Sequence, residues 1–133
     1  MAIQTTIAKA AKLVRMVETG QFALVEKVTI PATTNGDSQV LLTMPFAARV
    51  FTAWLRVPAT MGAAHTGKLQ KRDVDTGVAT DLTLTTTAAT AGVVVSTGLL
   101  PVDLKAGDTI EYLASGANAV ASAIEVDLSM QHA

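Results

Sequence analysis

An all-β fold, an antiparallel β-sandwich or jelly roll with a short N-terminal helical arm, is the fold class that this 133-residue sequence predicts. The 19 Thr and 15 Val residues are branched at Cβ, which restricts χ1 and favours pleated strands. Short alternating segments recur from residue 22 onward, each bounded by Gly, Pro, Asn or Asp. The apolar period changes at Gly20 from that of a helix to that of a strand. We therefore predict an arm over residues 1–20 and one sandwich domain over residues 21–133.

The predicted helix of the arm covers residues 7–18 and ends at Gly20, which suits a left-handed C-cap. Such a short helix is marginally stable alone in water, so its apolar stripe needs a surface to lie on. That surface is either the end of its own sandwich or a neighbouring subunit. The stripe, spaced along one helical face, consists of Ile3, Ile7, Ala10, Val14 and Val17.

Eight strands are predicted between the turn signals. Asn35 and Gly36 favour a turn because both residues tolerate a positive φ. Pro45 separates two strands, since proline cannot donate a hydrogen bond to a ladder. The last strand alternates strictly, which predicts one buried and one solvated face. The predicted strands cover residues 22–30, 39–44, 48–57, 68–74, 80–86, 92–97, 108–114 and 120–130.

The strand over residues 48–57 contains the only tryptophan. One face carries Phe51 with Ala53, Leu55 and Val57, and because it is the more apolar we predict that it faces the core. Val50, Thr52, Trp54 and Arg56 then lie on the other face. An outward tryptophan beside an arginine is typical of a protein–protein interface, whereas the alternative is an indole covered by a loop.

Groups that perform catalysis are scarce, so we expect no catalytic residue and no enzyme activity. His65 lies in a predicted loop with no acidic residue within seven positions, and we expect it to be solvent-exposed. His132 lies one residue from the end of the sequence. No serine occupies a Gly-x-Ser-x-Gly turn.

Metal and cofactor sites are not expected either. The chain has no cysteine, which excludes thiolate ligands. The segment from Asp73 through Asp75 to Gly77 resembles the opening of a calcium loop, but the later ligands of such a loop are missing. A hairpin turn explains the same residues, because Asp and Gly are common turn formers.

The charge balance bears on partners and compartment. The net charge of −1 provides no positive field for a phosphate backbone, so we expect no nucleic-acid partner. Lys9 and Lys12 interrupt the stretch that a signal peptide would need, and no apolar run is long enough to cross a membrane. We expect a protein made in the cytoplasm, with no membrane association.

Two segments carry a resemblance to a known family: VTIPATTNGDSQVLLTMPFAARVFTAWLRV, residues 28–57, and LLPVDLKAGDTIEYLASG, residues 99–116. They resemble small β-sandwich virion proteins of tailed bacteriophages, of the capsid decoration, cement or head-fibre kind. In these proteins a polar turn, an apolar strand, a proline and a second strand recur, as does the L-x-AGD-T-I-E strand entry. The resemblance implies homo-oligomers, commonly trimers, bound to the outside of a capsid, and it implies no catalytic residue.

The sequence therefore favours a structural virion protein that contacts the major capsid protein or another virion protein, as a homotrimer. The alternative is a glycan- or receptor-binding sandwich of a phage tail or fibre. The low aromatic content of 4% favours the structural function, because sugar sites usually need aromatic rings for stacking. The candidate partner-interface residues are Ile3, Ile7, Ala10, Val14, Val17, Trp54 and Arg56.

Overall fold

A computed structural model describes residues 4–6, 13–16, 21–31, 37–58, 65–87, 93–95, 98–115 and 121–132. These residues contain twelve strands and no helix, and the strands form two sheets around one core. The all-β sandwich predicted from the sequence is confirmed. The strands are β1 (Gln4–Thr6), β2 (Leu13–Met16), β3 (Gln21–Ile30), β4 (Ser38–Thr43), β5 (Ala48–Arg56), β6 (Thr66–Arg72), β7 (Ala79–Asp81), β8 (Thr86–Thr87), β9 (Val93–Val95), β10 (Val102–Leu104), β11 (Thr109–Ser115) and β12 (Ser122–His132).

The two sheets have similar sizes and mostly antiparallel pairing. Sheet A has the order β1-β4-β11-β6-β7, and β8 also pairs with β6. Sheet B has the order β10-β5-β12-β3-β2, and β9 also pairs with β5. Only the β1–β4 pair is parallel among the described strands. Both sheets contribute their inner faces to the core, as expected for packed sheets.

Strand β12 shows how the sequence pattern becomes a two-faced strand. Ile124, Val126 and Leu128 are buried in the core between the sheets. Glu125 and Asp127 alternate with them and lie on the outer face of sheet B. The strand pairs with β3 on one side and β5 on the other, so it occupies the centre of the sheet. The predicted alternation of this strand is confirmed.

The N-terminal segment differs from the predicted helix. Leu13–Met16 is strand β2, antiparallel to β3, and Gln4–Thr6 is strand β1, parallel to β4. The helix prediction is therefore wrong for residues 13–16, while residues 7–12 and 17–18 lie outside the described residues. A helix of this length is marginal alone, whereas an uncovered sheet edge offers a row of free backbone hydrogen-bonding groups. The segment supplies the strand at one edge of each sheet.

A β-bulge in β5 changes the predicted faces of that strand. Ser129 pairs with Thr52 and Met130 pairs with Val50, which leaves Phe51 as an extra residue. The extra residue reverses the alternation, because strand side chains point to opposite faces with a period of two. Val50 is consequently buried in the core, and Phe51 is 46% exposed. The predicted orientation is correct for Trp54 and wrong for these two residues.

Two further elements differ from the sequence prediction. The strand predicted over residues 80–86 is split into β7 and β8. The chain bends between them because Leu82 and Thr83 are buried and both donate backbone hydrogen bonds to the carbonyl of Leu69. The Thr83 hydroxyl in turn accepts a hydrogen bond from the Leu69 amide at 3.0 Å. Strand β10 was not predicted, since three residues are too few to show a period.

Tyr112 fills the centre of sheet A's inner face. Its side chain is fully buried, and its hydroxyl shares a 2.6 Å hydrogen bond with Nε2 of His65. Gly67 on the neighbouring strand makes this possible, because a Cβ at that position would overlap the tyrosine ring. His65 is itself fully buried, so the expectation that it is solvent-exposed is wrong. Burial raises the pKa of the Tyr112 hydroxyl above its ordinary value of 10.0.

This burial predicts alkaline destabilisation. Above about pH 10 the unfolded chain loses the Tyr112 proton while the folded chain retains it, so the free energy of unfolding falls as pH rises, by up to about 1.4 kcal/mol per pH unit. Below that pH the contribution is fully present. Tyr112→Phe should lower stability at neutral pH by about 1–3 kcal/mol through loss of the His65 hydrogen bond. The same variant should show a shallower decline above pH 10 in urea unfolding, and an equal decline in both proteins would contradict the argument.

Candidate functional site

The outer face of sheet B presents the only tryptophan of the sequence. Trp54 lies on β5 and pairs with Asp127 of β12, which in turn pairs with Val25 of β3. Trp54 is partly exposed, and Val25 is 52% exposed. Together with Lys27 and Glu125, these side chains line a shallow groove of about 340 Å³. The described residues place Trp54 on the outer face of sheet B, as the alternating pattern predicted.

Charged side chains surround this groove, which we call the Trp54 groove. Arg56 and Glu125 form an ion pair at 3.6 Å across β5 and β12. Lys27 and Asp127 are exposed, and neither forms an ion pair with any residue in the described ranges. The groove thus combines an aromatic surface with one positive and one negative group that remain available to a partner. Aromatic anchors with a polar rim are typical of protein–protein contacts.

The remaining candidate interface residues belong to the N-terminal segment. Val14 lies in β2, where its backbone pairs with Ala23 of β3. Ile3, Ile7, Ala10 and Val17 lie outside the described residues. The described parts of this segment pair with strands of their own chain, so they belong to the sandwich edges.

A second cavity lies at the other end of the outer face of sheet B. It has a volume of about 430 Å³ and is lined by residues of β10, β5 and β12 together with the residue before β5. Arg49 donates hydrogen bonds to Asp103 from Nε at 2.6 Å and from Nη2 at 3.3 Å. These hydrogen bonds lower the pKa of the Asp103 carboxyl and raise that of the Arg49 guanidinium. The bulged Phe51 also lines the cavity, which we call the Phe51 cavity.

The sequence analysis did not predict the Phe51 cavity. Its residues are far apart in the chain, and Asp103 reaches Arg49 only because β10 pairs with β5. The bulge that exposes Phe51 leaves no signal in the alternating pattern. His132 also lines the cavity, and its ring lies 4.5 Å from that of Phe46, between centroids.

The segment that resembles a calcium loop is a hairpin turn between β6 and β7. Oδ1 of Asp73 accepts hydrogen bonds from the amides of Asp75 and Thr76, at 2.8 and 3.0 Å. Gly77 has a φ of 73°, which favours glycine. Nζ of Lys105 lies 2.9 Å from the Asp73 carboxylate and 2.7 Å from that of Asp75, so the ammonium group bridges the two carboxylates.

This ammonium group also perturbs its neighbours. The Lys105 hydrogen bond, with the two backbone hydrogen bonds, holds the pKa of the Asp73 carboxyl well below its usual range. The two carboxylates raise the pKa of Lys105 in return. In the ranges that the structure describes, no group of three or more His, Cys, Asp or Glu residues could hold a metal ion.

The AGD sequence before β11 stabilises the turns around it through hydrogen bonds of Asp108. Asp108 is fully buried, and its carboxylate accepts hydrogen bonds from the amides of Val74 at 2.9 Å and Lys105 at 2.8 Å. Its backbone carbonyl accepts a hydrogen bond from the Met44 amide at 2.7 Å. Gly107 has a φ of 92°, in the region that favours glycine. One aspartate therefore ties the β6–β7 turn, the end of β4 and the turn into β11 together.

Glu111 is a second buried carboxylate with internal partners. It lies on the outer face of sheet A and accepts hydrogen bonds from Gln70 at 3.0 Å, Arg72 at 3.1 Å and Thr109 at 2.8 Å. Its charge is compensated by the Arg72 guanidinium, as burial of a carboxylate requires. This cluster holds β6 against β11 and buries the Glu111 carboxylate among its hydrogen-bond donors.

No protein-family model matches the chain, and no curated protein matches its sequence. Among the residues described, no helix is long and apolar enough to cross a membrane.

The hydrogen bonds of Asp108 predict a large cost for its removal. Asp108→Ala leaves the amides of Val74 and Lys105 without their acceptor, and we expect the free energy of unfolding to fall by about 2–5 kcal/mol. Asp127→Ala is the matched control, since its exposed carboxylate has no ion pair in the described ranges; its effect should stay within about 0.5 kcal/mol. Urea unfolding of both variants tests this, and equal effects would contradict the structural assignment of Asp108.

Proposed function

We propose that this chain is a non-enzymatic structural virion protein, which decorates or cements a tailed-bacteriophage capsid through protein–protein contacts. The observation that carries the proposal is the Trp54 groove, an outward aromatic surface on a sandwich whose core is already closed. The resemblance of residues 28–57 and 99–116 to decoration and cement proteins points the same way. The partner is the major capsid protein or another virion protein.

The internal polar groups support a structural function. The buried carboxylates of Asp108 and Glu111 are both consumed by hydrogen bonds that join strands and turns. His65 is buried and hydrogen-bonded to Tyr112. Groups of these types perform proton transfer in enzymes when substrate can reach them, but here their side chains are buried and hydrogen-bonded to other residues of the chain. The outer faces are left for contacts with other molecules.

The contact itself follows from the chemistry of the groove. Trp54 and Val25 supply apolar area that a partner can bury, at about 25 cal/mol per Å² before the cost of association. Lys27 and Asp127 provide charges of opposite sign that select the orientation of a complementary surface. The binding free energy of a single contact of this size is modest. A capsid lattice presents many identical sites, so an oligomer bound at several of them is held by multivalency.

Oligomerisation requires a surface apart from the Trp54 groove, and we propose a homotrimer that uses the edge of sheet A. Val74, Val78 and Leu84 are 53%, 62% and 46% exposed there, on the connections around β7. In a closed three-fold ring, each contact joins one patch of a copy to a different patch of the next copy. The exposed apolar side chains around β7 would supply one of these two patches.

The contact prediction is tested with capsid shells that lack the protein. Purified chain is added to the shells, and its occupancy is measured against concentration. Trp54→Ala should weaken attachment at least tenfold, because truncation of an interface tryptophan commonly costs about 2 kcal/mol or more. Thr52→Ala, on the same strand and face, is the control and should attach normally. Attachment of Trp54→Ala at full affinity would exclude the groove, and failure of the wild-type chain to attach would exclude the function.

The trimer prediction is tested by light scattering at micromolar concentration. The wild-type particle should have three times the chain mass of 13.7 kDa. Val78→Lys places a charge in the proposed apolar contact and should yield monomers that remain folded, since the residue is exposed. Thr52→Lys, on the outer face of sheet B, should remain trimeric. A wild-type monomer would contradict the prediction.

A further inference from the structure

The Phe51 cavity has the composition of a small-molecule site. Its volume of about 430 Å³ lies within the range of roughly 300–1,000 Å³ that ligand sites occupy. An exposed aromatic ring, Phe51, lies in it beside three planar polar side chains from neighbouring strands. These polar side chains belong to Arg49, Asp103 and Gln131.

Strand register places the three polar groups side by side. Arg49 on β5 pairs with Asp103 of β10 on one side and with Gln131 of β12 on the other. The two hydrogen bonds between Arg49 and Asp103 hold the guanidinium and carboxylate in one arrangement. A carboxylate, a guanidinium and an amide therefore form a row across three strands. Each of these groups offers two or more hydrogen-bonding atoms in one plane.

The charge of the row limits the ligand. The positive charge of Arg49 is compensated by Asp103 at 2.6 Å, so the pair has no net charge. A phosphate or carboxylate ligand would meet the carboxylate of Asp103, and a metal ion would meet the guanidinium of Arg49. A neutral molecule with many hydroxyl groups is repelled by neither charged group. Adjacent hydroxyls, each both donor and acceptor, match the paired hydrogen-bonding atoms of the row.

Phe51 supplies the apolar part of the site. The bulge turns its ring away from the core and leaves it 46% exposed, although an aromatic side chain in β5 could bury far more area inside. Bulges commonly redirect a side chain beside a functional site. A sugar ring has an apolar face of C–H groups that stacks on an aromatic ring, and hydroxyls at its edge that reach planar polar groups.

We propose that the Phe51 cavity binds a neutral saccharide. Phe51 stacks on one pyranose ring, while Arg49, Asp103 and Gln131 bind its adjacent hydroxyls. This is a second binding function, on the same sheet face as the Trp54 groove but built from other residues. It does not depend on attachment to a capsid.

The test uses the full chain and defined sugars. An array of neutral gluco-, galacto- and manno-configured oligosaccharides is probed first, with sialylated and sulfated oligosaccharides as the charged comparison. The neutral disaccharide corresponding to the strongest signal is then titrated at millimolar concentration and followed by amide and side-chain NMR shifts. We expect saturable shifts at Phe51, Gln131 and the Arg49 Nε. No binding on the array, shifts located elsewhere, or preference for charged sugars would each overturn the proposal.

Matched variants separate the parts of the site. Phe51→Leu keeps an apolar side chain but removes the aromatic face, and should weaken binding by up to about tenfold, whereas Phe51→Tyr should retain it. Arg49→Lys keeps the charge but loses the planar fork, and should also weaken binding. Thr52→Ala is the control that leaves affinity unchanged. Equal affinity of Phe51→Leu and the wild type would overturn the stacking assignment, and both Phe51 variants should still attach to capsid shells.

Discussion

The register between β5 and β12 determines which side chains of β5 lie in the core and which lie on the outer face of sheet B. Over most of their length the two strands place Ala53 and Leu55 in the core opposite Leu128 and Val126. One extra residue, Phe51, then reverses the alternation, so that Val50 can fill the core at the end of the strand. The same step exposes an aromatic ring. Core filling and surface chemistry are thus linked through a single bulge, because a strand has only two faces.

Two buried carboxylates, those of Asp108 and Glu111, have hydrogen-bond partners within the chain. Asp108 accepts two backbone hydrogen bonds, and Glu111 is compensated by Arg72 and two neutral donors. Buried groups with these partners are costly to move or to leave unpaired. They stabilise particular turns and strand pairs, and for that reason they are poorly suited to take part in a reaction. On the outer face of sheet B, Lys27 and Asp127 are exposed and form no ion pair within the described ranges.

Sheet B carries two different kinds of surface on one face. The Trp54 groove is shallow and carries exposed charges of opposite sign on Lys27 and Asp127, and such a surface suits a protein partner. In the Phe51 cavity the charges of Arg49 and Asp103 neutralise each other. The groove and the cavity share no lining residue, so a protein held on a particle through the groove would leave the cavity open to saccharides. The proposed functions are compatible for that reason.

Local sequence determined the strands whose alternation is long and regular. Residues 120–130 predicted β12 and its buried face, and the pattern around Trp54 placed that residue outside, because the period of two is a local property of the backbone. The Asp and Gly residues of the segment 73–77 likewise favoured a hairpin turn, which lies between β6 and β7. These features depend on neighbouring residues, which the sequence lists in order.

Tertiary structure decided the features that depend on pairing partners. Leu13–Met16 has a pattern that fits a helix, yet the free edge of β3 provides hydrogen bonds that make it a strand. The exposure of Phe51 depends on the residues of β12 opposite it, and the Arg49–Asp103 pair depends on β10. His65 is buried because Gly67 and Tyr112 create its surroundings. Tyr112, Asp103 and the residues of β12 are distant in the sequence from the residues that they contact, so only the folded chain brings them together.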